Sequence, residues 1–207
     1  EFRRVLFRSS VAAVVYDGVP SNPSSDDVGR AVAYAREQGA IDLIVGLGGG
    51  SPMDCAKGVN FILTSGGVMS DYWGYGKAGG SMIASVGVPT TAGTGSEAQS
   101  YAVPPDPPTR RKMACGDLRA RFRAVVLDPA LTTTMPPLVT GVTGIDAIVH
   151  ALESYVSTNA NPTSRMYARE AFRLLDGSFQ RVLAAPQDVD ARSAMLLGAH
   201  YAGAAIE

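Results

Sequence analysis

The chain has 207 residues, a formal net charge of −1, 46% hydrophobic and 18% charged residues, which suits a packed core rather than a disordered chain. The near-neutral balance leaves no basic footprint for nucleic acid or for an anionic membrane, and no apolar run is long enough to span a bilayer. Cys55 and Cys115 form neither a C-x-x-C pair nor a disulfide framework, so the chain reads as cytoplasmic, with each thiol a small core residue. Residues 1–10 mix arginine and phenylalanine without a signal-peptide pattern or a clean strand face, and read as a non-native scar. Residues 11–16 are apolar and β-branched, a buried strand closed by Asp17-Gly18. Asn22-Pro23-Ser24-Ser25 opens a helix with an apolar stripe at Val28, Ala31, Val32 and Ala35, stopped by Gly39. A strand over 41–45 and a helix over 52–63 complete a β-α-β-α run, the signature of a parallel sheet.

Between that strand and helix lies Gly46-Leu47-Gly48-Gly49-Gly50-Ser51-Pro52-Met53-Asp54. The glycines give bare backbone, Ser51 suits an N-cap, Pro52 suits the first helical turn and Asp54 falls at the capping-box position. A Gly-rich turn running into a helix N-terminus favours an anion, because unpaired N–H groups and the helix dipole point at it. The spacing is neither G-x-G-x-x-G nor a P-loop, and a tight αβ turn without a ligand is the plain alternative. Residues 71–76 form an aromatic loop that packs on the domain. A strand over 81–88 then runs into Pro89-Thr90-Thr91-Ala92-Gly93-Thr94-Gly95-Ser96-Glu97, whose hydroxyls and glycines at a second strand end suit a polar ligand. Residues 101–103 and 111–114 are candidate hairpin arms, although the intervening prolines oppose strand pairing. Residues 124–127 form a last strand, ended by Asp128-Pro129. Met135-Pro136-Pro137 reads as a hinge, dividing an α/β part over 11–137 from a helical part over 138–207 with helices at 144–156, 163–184 and 190–206.

On the first of those helices Asp146 and His150 stand four apart, a carboxylate and an imidazole on one face that can point at one cation. A solvated i,i+4 pair is the alternative, since a tightly held divalent metal takes at least three protein ligands. His200 has no partner spacing and reads as helix filling.

Four stretches together resemble the iron-containing alcohol dehydrogenases. Residues 48–57 match the motif G-G-G-S-x-x-D-x-A-K and residues 89–97 match P-T-T-A-G-T-G-S-E. Asp128-Pro129 with Pro136-Pro137 fits the segment before the family's hinge, and residues 143–153 match T-G-x-D-A-x-x-H-A-x-E. The resemblance implies a dehydroquinate synthase-like architecture, an α/β nucleotide-binding domain with a parallel sheet followed by an all-α domain, here truncated. By the same resemblance Gly49, Gly50 and Ser51 hold a pyrophosphate with Asp54 close by, while Asn22, Thr90, Thr91, Ser96, Lys112 and Leu131 line the rest of an NAD or NADP site. Asp146 and His150 are implied as two of four ligands to Fe2+, with Zn2+ the alternative. The implied reaction is metal-assisted hydride transfer between a small alcohol and its aldehyde or ketone. The rival readings are a zinc-type polyol dehydrogenase of the same superfold and an inert NAD(P)-binding module.

Three departures accompany the match. The family's other two metal ligands, both histidines, fall beyond Glu207. The strand carrying the acidic residue that selects NAD or NADP falls before Val11, and Pro104-Pro105 stands where the family has a strand. The expectation is therefore a fragment that is inactive alone, from a protein that is a homo-oligomer at full length.

Overall fold

The computed structural model describes residues 12–109 and 111–207; the reading of residues 1–10 lies outside them, as does Val11. Helix α1 (Ser25–Glu37) starts where the sequence places it. The Ser24 hydroxyl accepts from the Asp27 N–H and the Asp27 carboxylate accepts from the Ser24 N–H, a complete capping box. Its Val28, Ala31 and Val32 are buried. The strand expected over 11–16 is absent over 12–16. A strand needs a backbone ladder, and no described strand runs beside this segment; it is held instead by the Tyr34 hydroxyl donating to the Val15 carbonyl at 3.2 Å and by Tyr16 packing on the Tyr34 ring.

Strand β1 (Leu43–Gly48) leads into helix α2 (Gly50–Ser65), and a short two-residue strand, β2 (Gly74–Tyr75), precedes β3 (Ala84–Pro89). β1 runs three residues past the expected 41–45, because its parallel ladder with β3 continues through Gly46↔Gly87 and Leu47↔Val88 to Gly48↔Pro89. The glycine at 46 keeps the strand close to its neighbours: a Cβ would lie 3.0 Å from the Phe122 ring and 3.2 Å from Ala56, tight enough that they would have to give way. β4 (Tyr101–Ala102), β5 (Cys115–Gly116) and β6 (Ala124–Val125) complete the α/β part. β6 joins β3 in parallel, giving the order β1-β3-β6, while β5 sits between β2 and β4 in a second small sheet.

The hairpin forms with its arm shifted to β5, pairing Tyr101 with Gly116 and Ala102 with Cys115. The prolines are accommodated in the excursion between, where a single bridge joins Pro105 to Lys112. The aromatic loop is partly core. Tyr72 ends a 3-10 turn (Met69–Tyr72), packs on Phe61 with ring centroids 5.0 Å apart and donates to the Gly66 carbonyl at 2.5 Å.

The helical part is α3 (Pro137–Val156), α4 (Pro162–Ala184) and α5 (Val189–Ile206). α3 begins seven residues before the expected 144, since Pro137 sits in its first turn, where a missing N–H costs nothing. Ala147, Ala151, Ala171, Leu175, Met195, Leu196 and Ala199 form one buried cluster, so small residues let the three helices approach closely. α3 also carries an outward stripe, Leu138, Val142, Ile145, Val149, Leu152 and Val156, whose exposure ranges from 40% to 77%.

Asp117 anchors the loop before β6. Its carboxylate accepts from the Arg119 guanidinium at 2.7 and 2.8 Å, from the Arg119 N–H and from the Ala78 N–H. The hydrogen bonds from Arg119, ahead of the opposing effect of burial, hold its pKa at about 2 against an ordinary 3.8. That stabilisation is complete above the ordinary value and is lost as pH falls through about 2. Asp117→Ala is expected to cost about 1–3 kcal/mol at pH 7, a gap that urea unfolding should show closing as the pH is lowered toward 2.

Candidate active-site cleft

The N-terminus of α2 is where the sheet meets open space. Gly49 is its N-cap and offers no side chain, so no side-chain acceptor satisfies the first N–H groups of the helix. Ser51 does not cap, contrary to the sequence reading; its Oγ accepts from the Asn22 N–H at 2.9 Å and so ties the start of the helix to the loop before α1. Asn22 itself holds φ at +55°. Gly50 leaves room that no other residue would: a Cβ would meet the Thr94 methyl at 2.9 Å and its hydroxyl at 3.1 Å.

Asp54 is likewise not a capping-box residue. Its two oxygens accept from the Ser96 hydroxyl at 2.6 Å and from the Val103 N–H at 3.1 Å. One turn on, the Lys57 ammonium is almost wholly buried and donates to the Ser96 carbonyl at 2.6 Å, to the Ser96 hydroxyl at 3.2 Å and to the Tyr101 carbonyl at 2.9 Å. Burial pulls its pKa down to about 8, against the opposing pull of Asp54, Glu97 and Glu207. The face of α2 bearing Asp54 and Lys57 thus fixes the whole loop after β3.

These elements and α3 enclose a cleft of about 820 Å³. Of the residues singled out in the sequence, Asn22, Gly50, Ser51, Asp54, Ser96, Lys112, Asp146 and His150 line it. Gly49, Thr90, Thr91 and Leu131 do not. Gly49 lies against the Thr91 side chain, the Thr90 N–H continues the ladder by donating to the Gly48 carbonyl at 2.9 Å, and Leu131 sits in the 3-10 turn Pro129–Thr132. Sequence reasoning passed over Lys57, although it stands three residues after Asp54 and so on the same helix face. It also passed over Glu153, three residues after His150, and the polar loop of Ser157, Asn159 and Asn161, all of which line the cleft.

Asp146 Oδ1 and His150 Nε2 are 3.7 Å apart, with the His150 ring more buried than the carboxylate. Two donors at that separation fit a single cation about 2.0–2.2 Å from each. His150 Nδ1 is buried without a hydrogen-bond partner among the described residues, which leaves Nε2 as the nitrogen that meets the cleft. No group of three or more His, Cys, Asp or Glu side chains able to hold a metal occurs among the described residues, so the pair supplies two positions of a donor set.

His200 is not helix filling. Its Nδ1 lies 3.3 Å from Oε1 of the buried Glu97, across the seam between α5 and the loop after β3.

A family model for iron-containing alcohol dehydrogenase matches residues 1–129, and the model for the C-terminal part of the same family matches residues 140–207. Alcohol dehydrogenase 4 of Schizosaccharomyces pombe is 34% identical over 98% of this chain and 48% of its own length. The 1,3-propanediol dehydrogenase of Klebsiella pneumoniae is 34% identical over 97% of this chain and 51% of its own length. The chain therefore spans about half the length of the curated relatives it matches. Among solved structures, an alcohol dehydrogenase from Oenococcus oeni superposes with a TM-score of 0.94 at 32% identity, covering 98% of this chain and 53% of that one. A sulfoacetaldehyde reductase from Bifidobacterium kashiwanohense, solved in complex with NAD+, gives 0.89 at 28% identity, with 99% and 55% covered.

Both thiols are buried, and burial raises Cys55 to about 12 and Cys115 to about 11. At pH 8 neither is a thiolate in the folded chain. Ellman's reagent should find no reactive thiol in the native protein and both after guanidinium unfolding; rapid native labelling of Cys55 would show that α2 opens.

Proposed function

The chain belongs to the iron-containing alcohol dehydrogenase family, and from that premise we propose that it serves the NAD(P)-dependent interconversion of a small alcohol with its aldehyde or ketone. One observation carries the reading: the uncapped N-terminus of α2 and the Asp146–His150 pair open onto the same cleft. An anion-holding end and a cation-holding end in one cavity suit a dinucleotide whose pyrophosphate lies at the helix and whose reactive ring reaches the metal pair. The NAD+ complex of the similar sulfoacetaldehyde reductase supports the cofactor, and the alcohol and propanediol dehydrogenases support the substrate class.

Gly50 and Ser51 offer main-chain N–H groups to the pyrophosphate, and Gly49 holds the turn that presents them. Asn22, Ser96 and Lys112 contact the remainder of the dinucleotide from around the cleft. Thr90 and Thr91, outside the cleft lining, support Gly48 and Gly49 from behind, and Leu131 stands apart from the cleft in the turn after β6. Asp54 keeps both oxygens on Ser96 and Val103, so its part is to hold the loop in register while its charge is balanced by Lys57. Asp146 and His150 would hold the metal, Fe2+ or in its place Zn2+, through Oδ1 and Nε2, the two atoms that face each other at 3.7 Å. When bound, the metal would supply Lewis acidity at the substrate oxygen and the nicotinamide would supply the hydride chemistry. The division at 137 belongs to this reading, with the cofactor held by the first part and the metal by the second. So do a cytoplasmic location and a homo-oligomeric state.

A second reading is cofactor binding without turnover, in which the cleft takes NAD(H) and the Asp146–His150 pair serves no metal. The two are separated by whether added Fe2+ produces alcohol-dependent NADH formation in the purified chain.

Titration with NADH, followed by its fluorescence, is expected to saturate. Gly50→Val, which drives a side chain into Thr94, should weaken binding at least about tenfold while far-UV circular dichroism is unchanged. A wild-type chain with no saturable NADH binding would defeat the proposal. Asp146→Ala with His150→Ala should leave NADH binding intact and weaken Fe2+ binding followed by equilibrium titration.

A further inference from the structure

Glu97 ends the Thr- and Gly-rich loop and is 4% exposed. A buried carboxylate is costly unless it is paired, and the partner that α5 provides is His200, Nδ1 to Oε1 at 3.3 Å. The charge of Lys57 also lies close enough to act with Glu97. The loop and α5 also meet backbone to backbone. Gly95, with φ at +61°, approaches α5 so closely that a Cβ would lie 2.7 Å from the Ala199 carbonyl oxygen, and a Cβ on Gly203 would lie 2.3 Å from the Gly95 oxygen. Two glycines therefore set the distance, and the Glu97–His200 contact sets the orientation.

We infer that His200 is a positioning residue for the cofactor loop: through Glu97 it holds Thr94 and Ser96 against Gly50 and Asp54, and so regulates how tightly the cleft takes NAD(H). The route is short. Thr94 and Ser96 line the cleft, Thr94 packs on Gly50, and Ser96 is bonded to Asp54 and Lys57. Loss of the contact on α5 leaves a carboxylate buried beside these residues and, among the described residues, with the Lys57 charge to face. The loop must then shift or admit water, and Thr94 and Ser96 move with it. The inference rests on the cofactor reading above for its ligand, but not for the contact itself.

The test compares His200→Leu with His200→Asn, two side chains of nearly equal shape. Only asparagine retains a donor near the place of Nδ1. Both are made in the full chain and checked by circular dichroism. NADH affinity is measured by fluorescence titration and amide exchange over residues 89–98 by mass spectrometry. His200→Leu is expected to weaken NADH binding roughly fivefold to twentyfold and to speed exchange in the loop, with His200→Asn staying within about twofold of wild type on both readouts. If both variants match wild type, or if both lose affinity and protection equally, the hydrogen bond does not position the loop and the inference falls. Should wild type bind no NADH, the cofactor reading fails separately, and loop exchange alone decides the role of His200: faster in leucine and unchanged in asparagine upholds it, any other pattern overturns it.

Discussion

The buried ammonium of Lys57 is the interaction on which the cleft depends. Its Nζ reaches the Ser96 and Tyr101 carbonyls, 39 and 44 residues away, and lies 5.5 Å over the Phe122 ring. Removing a cation from water costs several kcal/mol unless hydrogen bonds and opposite charges replace the solvent. Here two carbonyls and a hydroxyl do the first, and Asp54, Glu97 and Glu207 contribute the second. Asp54, one turn earlier on the same face, offers acceptors where Lys57 offers donors. A donor and an acceptor projecting from one helix face read the loop's own donors and acceptors in turn. The conformation of a loop that has little apolar surface of its own is therefore dictated by α2.

Close approach of the helical layer follows from what the loop lacks. A Cβ at Gly93 would lie 2.5 Å from Thr143 of α3, and Gly95 and Gly203 touch backbone to backbone. Any side chain at these places would hold α3 and α5 away from the strand ends and widen the cleft. The glycines of this loop thus act on the helices behind it, whereas Gly50 acts on the ligand side. Both uses draw on the absence of a Cβ, but only Gly95 of the three in the loop's seam needs the left-handed backbone as well.

Local signals in the sequence were read accurately where local physics decides the outcome. The opening of α1 at Asn22-Pro23-Ser24-Ser25, the Gly39 stop and the three terminal helices need only residues within a turn or a hydrophobic period. Ser51 and Asp54 mark the limit. Both suit cap positions by type and spacing, yet Gly49 takes the cap and both side chains go to partners 29, 42 and 49 residues distant. Competition between a local cap and a distant donor is not written in the neighbouring residues. The same holds for His200, whose partner is 103 residues away. The strand over residues 12–16 failed for a related reason, because a β-branched run specifies the tendency to extend but not a neighbour with which to pair. The Asp146–His150 spacing, by contrast, is a property of the helix alone, and the two side chains do meet on one face.

That pair also occupies a border. Asp146, His150, Glu153 and Ser157 follow one stripe of α3 and its C-cap and line the cleft, while Ile145, Val149, Leu152 and Val156 follow the adjacent stripe, each one residue earlier, and are exposed. One residue is about 100° of helix rotation, so an apolar strip runs along the flank of the donor pair for its whole length. The cleft lining and the exposed apolar strip are thus set by one helical register, so that a shift of a single residue along α3 would turn hydrocarbon instead of the Asp146 and His150 side chains toward the cleft.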